Sequence, residues 1–131
     1  MSEALKGIID EVVLDDLRQL DDEDGGFFEE VVQAYVQDAH VWLDDLRAGI
    51  GCGNAEKTAR AAHSLKTPSF QLGAVGLGEL CRQVEEKSRG GSCEGLESPL
   101  QEIAAQVVAV CAALTNRIKR STRPLDDPSG S

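Results

Sequence analysis

The sequence has few aromatic residues and no long hydrophobic run. Phe, Trp and Tyr make up 4% of the 131 residues, whereas strands are usually rich in aromatic and β-branched side chains. No segment approaches the ~18 apolar residues of a membrane span, and the first residues, MSEALKGIIDE, lack the basic and apolar regions of a secretory signal. We therefore expect a single helical domain in the cytoplasm, without a membrane anchor.

Positive charge and paired cysteines are also scarce. The formal net charge of −10 disfavours binding to nucleic acid or to an anionic membrane, because both are negatively charged. Cys52, Cys81, Cys93 and Cys111 form no CxxC pair, and neither histidine lies at zinc-finger spacing from them. A di-iron bundle is disfavoured too, because neither histidine has a glutamate three residues before it. We expect reduced thiols and neither a metal nor a cofactor.

Apolar residues recur every three or four positions and predict five helices and no sheet. The helices are expected at about 8–20, 26–50, 54–72 and 75–89, with a fifth from Ser98 to about Ile118. The apolar pattern of the first predicted helix consists of Ile9, Val12, Val13, Leu17 and Leu20.

Local signals mark several helix ends. Asn54 is a good N-cap for the third helix, Gly73 ends or bends it, and Ser98-Pro99 resembles a capping box that opens the fifth.

Four long amphipathic helices with short connections predict an all-α, antiparallel four-helix bundle, with the short first helix as a cap over one end. The domain would span residues 8–120, between an N-terminal extension at 1–7 and a disordered tail at 121–131.

One histidine lies opposite the predicted inner face of the third helix. At about 100° per residue, the inner face consists of Thr58, Ala61, Ala62, Leu65, Ser69 and Leu72. His63 is nearly opposite this face. Lys66 and Thr67 follow it by three and four residues, and Arg60 precedes it by one turn. Phe70 is nearly in line with His63 and is expected either to face a partner or to pack under the neighbouring helix.

These residue types suit phosphoryl chemistry. Imidazole is nucleophilic and substantially unprotonated near neutral pH. Phosphorylation of His63 would add negative charge to the ring, which the ammonium of Lys66 one turn away would neutralise. The alternative is that His63 is an ordinary surface histidine.

A longer pattern extends across two helices and the turn between them. It consists of Ala62-His63-Ser64-Leu65-Lys66-Thr67-Pro68-Ser69, Leu72-Gly73-Ala74, Leu77, Leu80-Cys81 and Val84-Glu85. This pattern resembles AHxLKGxSxxxGAxxLxxLCxxLE, the signature of the histidine-containing phosphotransfer (HPt) domain family. The resemblance implies that His63 is phosphorylated, that Lys66 pairs with the phosphoryl group, and that Gly73 and Ala74 form the tight turn.

The resemblance also implies a function. Members of the family accept phosphate from an aspartyl phosphate on one receiver domain and pass it to an aspartate on another. They have no kinase activity of their own, and the receiver supplies Mg²⁺. We therefore expect a monomeric phosphorelay carrier that binds receiver domains of hybrid sensor kinases and response regulators through a surface including Arg60, Thr67 and Phe70. The initial methionine and the tail favour an independent protein over a segment of a hybrid kinase.

The sequence departs from the family pattern directly after the lysine. Thr67 stands where the family usually has glycine, and its bulk would narrow a receiver's approach. Pro68 lacks the N–H that would bond to the carbonyl of Ser64, so we expect a bend about one turn past His63. This departure leaves open an alternative function, a non-catalytic module that docks onto receiver or signalling proteins without carrying phosphate.

Overall fold

The computed structural model describes residues 8–20 and 26–126, with side chains through residue 118. This part of the chain forms five helices and no strand: α1 Glu11–Arg18, α2 Gly26–Gly51, α3 Ala55–Gln71, α4 Val75–Arg89 and α5 Glu97–Asp126. The predicted N-terminal extension at 1–7, the acidic stretch at 21–24 and the last residues, 127–131, lie outside the described residues.

The four long helices close into a ring. α2 packs on α3, α3 on α4, α4 on α5, and α5 returns to α2. The connections at 52–54, 72–74 and 90–96 are short, so consecutive helices run antiparallel. The predicted all-α, antiparallel four-helix bundle is confirmed.

The core is built mainly from aliphatic side chains on one stripe of each helix. The completely buried members with large side chains are Leu14, Val32, Leu46, Leu65, Leu77, Val84, Ile103, Val107, Val110 and Leu114. The inner face predicted for α3 is confirmed, since all six of its residues are buried. Packing of these stripes, rather than helix propensity, supplies most of the stability of such helices.

The short helix α1 covers the turn between α3 and α4. Its N-cap residue Asp10 accepts a hydrogen bond from the backbone N–H of Val12 at 3.0 Å. The backbone N–H of Asp10 donates to the carbonyl of Gly73 at 2.7 Å. Gly73 ends α3 with φ +85°, and a Cβ there would lie 2.7 Å from the Asp10 carbonyl oxygen. Glycine is therefore required both for the turn and for the close approach of α1.

The apolar face expected for the first helix was partly wrong. Val12 and Leu20 were expected on the inner side, but each is 69% exposed. Leu14 is buried instead, and Leu20 lies beyond the end of the helix at Arg18. A helix of eight residues has few apolar positions, so periodicity alone defines its buried face less precisely than that of a long helix.

Two predicted helix boundaries in the second half of the chain also need correction. α5 begins at Glu97, so Ser98 and Pro99 lie in its first turn and do not cap it. Proline fits there because the first N–H groups of a helix have no intrahelical partner. At the other end, the backbone is helical through Asp126, whereas a disordered tail was expected from residue 121. By contrast, the side chain of Asn54 accepts from Lys57 N–H at 3.0 Å, as predicted.

One helix meets the length and composition of a membrane span, which the sequence analysis did not anticipate. An 18-residue window within Glu97–Ile118 of α5 has a mean hydropathy of 1.3. The apolar stripe of this segment, with Ile103, Val107 and Leu114 completely buried, faces the bundle. Val108 in the same segment is 64% exposed, so the segment has apolar residues both in the core and at the surface.

Candidate functional site

The phosphoryl-acceptor candidate His63 lies on the outer face of α3. Its side chain is 55% exposed, whereas the adjacent Ala62 and nearby Leu65 are completely buried. This orientation agrees with the prediction from helical periodicity. The ring is thus accessible to a second protein while the helix under it is fixed by the core.

A buried carboxylate from α4 holds the ring of His63. Glu85 has a side chain only 8% exposed, and its Oε2 lies 3.0 Å from Nδ1 of His63. Its Oε1 lies 2.8 Å from Nζ of Lys66. Arg89, one turn further along α4, places a guanidinium nitrogen 2.6 Å from Oε2. One carboxylate therefore connects an imidazole and two cations from two helices.

The environment of Glu85 favours its ionised form. Burial alone would raise the pKa of this carboxyl. The hydrogen bonds from Lys66 and His63, together with the charges of Lys66 and Arg89, outweigh burial and leave the pKa below its usual value. An ionised carboxylate can only accept, so Nδ1 of His63 must donate.

Close packing of α3 on α4 sets the positions of these groups. Gly78 of α4 lies against the ring of Phe70, so that a Cβ at Gly78 would lie 2.8 Å from three ring carbons. Phe70 is consequently half-buried. Of the two placements expected for Phe70, the structure has the one against the neighbouring helix.

The other two predicted partner-facing residues are exposed. Arg60 and Thr67 both lie at the surface of α3. Arg60 and His63 line one groove between α3 and α4, together with Ala55, Glu56, Ala59, Ser88, Arg89 and Gly91. Arg60 and Arg89 bring two guanidinium groups to this groove and Glu56 brings one carboxylate, so the charged side chains there have a net positive charge that suits an anionic group. Among the residues with described side chains, no group of three His, Cys, Asp or Glu is placed to hold a metal ion.

Pro68 does not interrupt α3. The helix continues through Pro68 to Gln71, and Lys66 keeps its ion pair with Glu85. Directly after the proline, the hydroxyl of Ser69 donates to the carbonyl of Leu65 at 2.7 Å. That hydroxyl also lies 2.8 Å from the Tyr35 hydroxyl of α2. Contacts to the neighbouring helix thus hold the turn where the proline removes a backbone hydrogen bond.

An apolar groove lies further along α3, beside Pro68. Its main lining residues, from α1, α2 and the end of α3, are Val13, Leu17, Leu20, Phe27, Val31, Trp42, Pro68 and Leu72. Leu20 is 69% exposed and Phe27 41%. Exposed apolar surface of this kind is typical of sites that contact other proteins.

The sequence analysis missed Glu85 and Arg89 as site residues. Glu85 entered only as part of the family pattern, with no role assigned. A usable signal was present, since Glu85 follows Cys81 by four residues and directly follows Val84 on the buried stripe of α4. An acid on a buried stripe is uncommon unless it is paired.

The fold and the site together define a class of protein: a helical bundle that presents a nucleophilic imidazole on its outer wall. Within that class, the family model described as "Hpt domain" matches residues 30–128. The chain therefore belongs to the Hpt domain family, as its sequence pattern indicated.

Individual relatives agree with this assignment. Multistep phosphorelay regulator 1 of the fission yeast Schizosaccharomyces pombe is 26% identical over 120 residues, which cover 90% of this chain but 41% of the relative. The chain thus spans about two fifths of that curated relative. Histidine-containing phosphotransfer protein B of Pseudomonas aeruginosa has a similar structure, with a TM-score of 0.78, 24% identity, and coverage of 86% of this chain and 96% of that one. A rice protein described as a histidine-containing phosphotransfer protein also has a similar structure, with a TM-score of 0.76 and 22% identity. The match covers 90% of this chain and 86% of the rice protein.

Proposed function

We propose that this chain relays a phosphoryl group between aspartates of receiver domains in a multistep phosphorelay, through phosphohistidine at His63. The observation that supports the choice of residue is the hydrogen bond of Nδ1 to the buried Glu85 carboxylate, 3.0 Å long, beneath a ring that is 55% exposed. The other histidine, His40, is exposed on α2 and has no comparable carboxylate partner among the described contacts.

The carboxylate selects the tautomer of the ring. Because ionised Glu85 accepts the proton on Nδ1, the neutral imidazole has its unprotonated lone pair on Nε2. The same hydrogen bond fixes the ring orientation, as second partners of reactive histidines commonly do. Nε2 is then the nucleophile presented to a partner.

The transfer step follows from this tautomer. The Nε2 lone pair attacks the phosphorus of a receiver's aspartyl phosphate, the N–P bond forms, and the bond from phosphorus to the aspartyl oxygen breaks with its electrons. The aspartate leaves as a carboxylate, and the ring, still protonated at Nδ1, gains positive charge. Glu85 stabilises that charge at hydrogen-bond distance. Onward transfer is the reverse step toward a second receiver.

Lys66 supplies positive charge for the phosphoryl oxygens. An ammonium group has three donors, and the contact to Glu85 Oε1 at 2.8 Å uses one of them. The other two remain for phosphoryl oxygens one helical turn from His63. Arg60 and Arg89 border the same groove and add to the positive potential there.

The partner is proposed to dock over the face that includes Arg60, Thr67 and the apolar groove beside Pro68. A receiver with an apolar surface next to its phosphorylated aspartate would bury the exposed Leu20 and Phe27 while its aspartate meets His63. We propose that the receiver brings the Mg²⁺ needed for the chemistry, and that the chain acts as a soluble, cytoplasmic monomer without a cofactor of its own.

The decisive experiment uses the full chain and a receiver domain phosphorylated with radiolabelled phosphate. We expect the wild-type chain and His40→Gln to take up label that is acid-labile and base-stable, whereas His63→Gln takes up none. Label retained by His63→Gln would overturn the assignment to this residue.

A second function, docking without phosphate transfer, is favoured by one observation: the apolar groove does not include His63. In the same experiment, this function predicts that the chain binds the receiver and remains unlabelled. Transfer of label to the wild-type chain would exclude it.

A further inference from the structure

Two connections meet at the end of the bundle that α1 does not cover. Cys52 lies in the connection between α2 and α3, and Cys93 lies in the connection between α4 and α5. Far apart in sequence, these two cysteines approach the same backbone atom. Neither residue contributes to the site around His63, so the inference below does not depend on the proposed function.

The shared atom is the carbonyl oxygen of Gly49. The sulfur of Cys52 lies 3.9 Å from it, and the sulfur of Cys93 also lies 3.9 Å from it. The two sulfurs are therefore separated by no more than twice that distance. The sulfur of Cys93 is also 3.5 Å from the hydroxyl oxygen of Thr58, which places it against the first turns of α3.

The close crossing of α2 and α3 explains this arrangement. A Cβ on Gly49 would lie 2.5 Å from the Thr58 hydroxyl oxygen, so only glycine allows the helices to approach so closely here. The Thr58 hydroxyl donates to the carbonyl of Asn54 at 2.8 Å, which fixes its position. Cys93 then fits beside both residues, at the open end of the bundle.

Both connections contain glycine residues that are not packed against a neighbouring element. A Cβ on Gly53 or Gly91 would meet nothing within 4 Å. Gly53 and Gly91 also have positive φ, +69° and +97°, a backbone conformation that glycine adopts without steric cost. A disulfide requires Cα atoms about 4.4–6.8 Å apart, and the proposed bond would bring the two glycine-containing connections to that separation.

The four thiols differ sharply in access. Cys52 is exposed and Cys93 is half-buried, whereas Cys81 and Cys111 are buried in the core. Burial raises the pKa of Cys81 to about 12 and that of Cys111 to about 11, so these two remain protonated thiols and unreactive. Oxidation is thus directed to the pair at the end of the bundle.

We propose that Cys52 and Cys93 form an intramolecular disulfide on reaction with a low-molecular-weight disulfide such as oxidised glutathione. The exposed Cys52 thiolate attacks one glutathione sulfur, forms a mixed disulfide and releases one reduced glutathione. The Cys93 thiolate then attacks the Cys52 sulfur and releases the second. The protein loses two protons and two electrons, which reduce one oxidised glutathione to two reduced molecules.

The test treats the reduced full chain with oxidised glutathione and follows its intact mass. We expect the loss of two hydrogens, with no dimer, and a peptide pair joined through Cys52 and Cys93 after proteolysis. Persistence of the fully reduced mass, or oxidation only to a covalent dimer, would overturn the proposal.

Single variants separate the two steps. Cys93→Ser should accumulate one glutathione at Cys52, because the second thiol is missing. Cys52→Ser should react more slowly at the half-buried Cys93. Loss of two hydrogens in either variant would contradict the pairing, and circular dichroism of each variant checks that the bundle is intact.

Discussion

The Nδ1 atom of His63 on α3 lies 3.0 Å from Oε2 of Glu85 on α4. An exposed base is thus fixed by a nearly buried acid, and the acid is itself held by Lys66 and Arg89. The contacts of His63 and Lys66 with Glu85 join α3 to α4, so the position of the His63 ring depends on the packing of these two helices.

Replacing Glu85 by glutamine should slow phosphoryl transfer by roughly tenfold, without abolishing it. The amide oxygen can still accept from Nδ1, but the negative charge that stabilises the phosphorylated ring is lost, and a charge-assisted hydrogen bond is worth about 1.5–3 kcal/mol. Rapid-quench measurement of transfer from a labelled receiver gives the rate.

The neighbouring Glu86→Gln is the matched control, because Glu86 is exposed and pairs with Arg82 rather than with His63. Equal rates for Glu85→Gln and wild type would remove Glu85 from the mechanism.

Replacing Lys66 by alanine should slow transfer by roughly tenfold to a hundredfold, because a hydrogen bond to a charged group is worth about 1.5–3 kcal/mol. Lys66 is only 23% exposed and is held beside the site by Glu85. Lys87, which is exposed on α4, provides the control Lys87→Ala. A similar loss in both variants would indicate a general effect of net charge and not a role of Lys66 at the phosphoryl group.

Stability should fall on acidification because of Glu85. Its pKa is lower in the folded chain than the usual value of 4.5, so the unfolded chain binds the proton more tightly. The resulting stabilisation is present above about pH 4.5 and is lost as the pH falls through the folded-state pKa. Urea unfolding of wild type and Glu85→Gln at several pH values between 6 and 3 measures this pH-dependent stabilisation.

The difference in unfolding free energy between these two proteins should shrink as the pH falls, since glutamine does not titrate. A difference that stays constant over the whole range would show that the ion pairs of Glu85 do not contribute to stability.

Replacing Gly73 by alanine should destabilise the chain by about 2–4 kcal/mol. The residue has φ +85°, and the new Cβ would lie 2.7 Å from the Asp10 carbonyl oxygen. Gly53→Ala is the control, because Gly53 also has positive φ (+69°) but nothing within 4 Å of a Cβ. Gly53→Ala should lower the free energy of unfolding by only about 1–2 kcal/mol. Equal losses in the Gly53→Ala and Gly73→Ala variants would show that α1 does not pack tightly on the turn.

The sequence by itself determined the helical class, the bundle and the outward orientation of His63. These properties depend on the apolar periodicity within each helix. In a long helix this pattern repeats over several turns, so a single residue that departs from it does not change the predicted buried face. The N-cap at Asn54 and the stop at Gly73 are local in the same sense, since each depends on one residue's hydrogen bonds or φ.

The tertiary structure alone decided which groups surround His63. Glu85 is 22 residues away in sequence, and its distance from the ring depends on the crossing of α3 and α4 at Gly78 and Phe70. The exposure of Val12 and Leu20, the apolar groove and the approach of Cys52 to Cys93 depend equally on packing between separate segments. Periodicity within one helix fixes which side a residue faces, but it contains no information on which residue of another helix lies opposite.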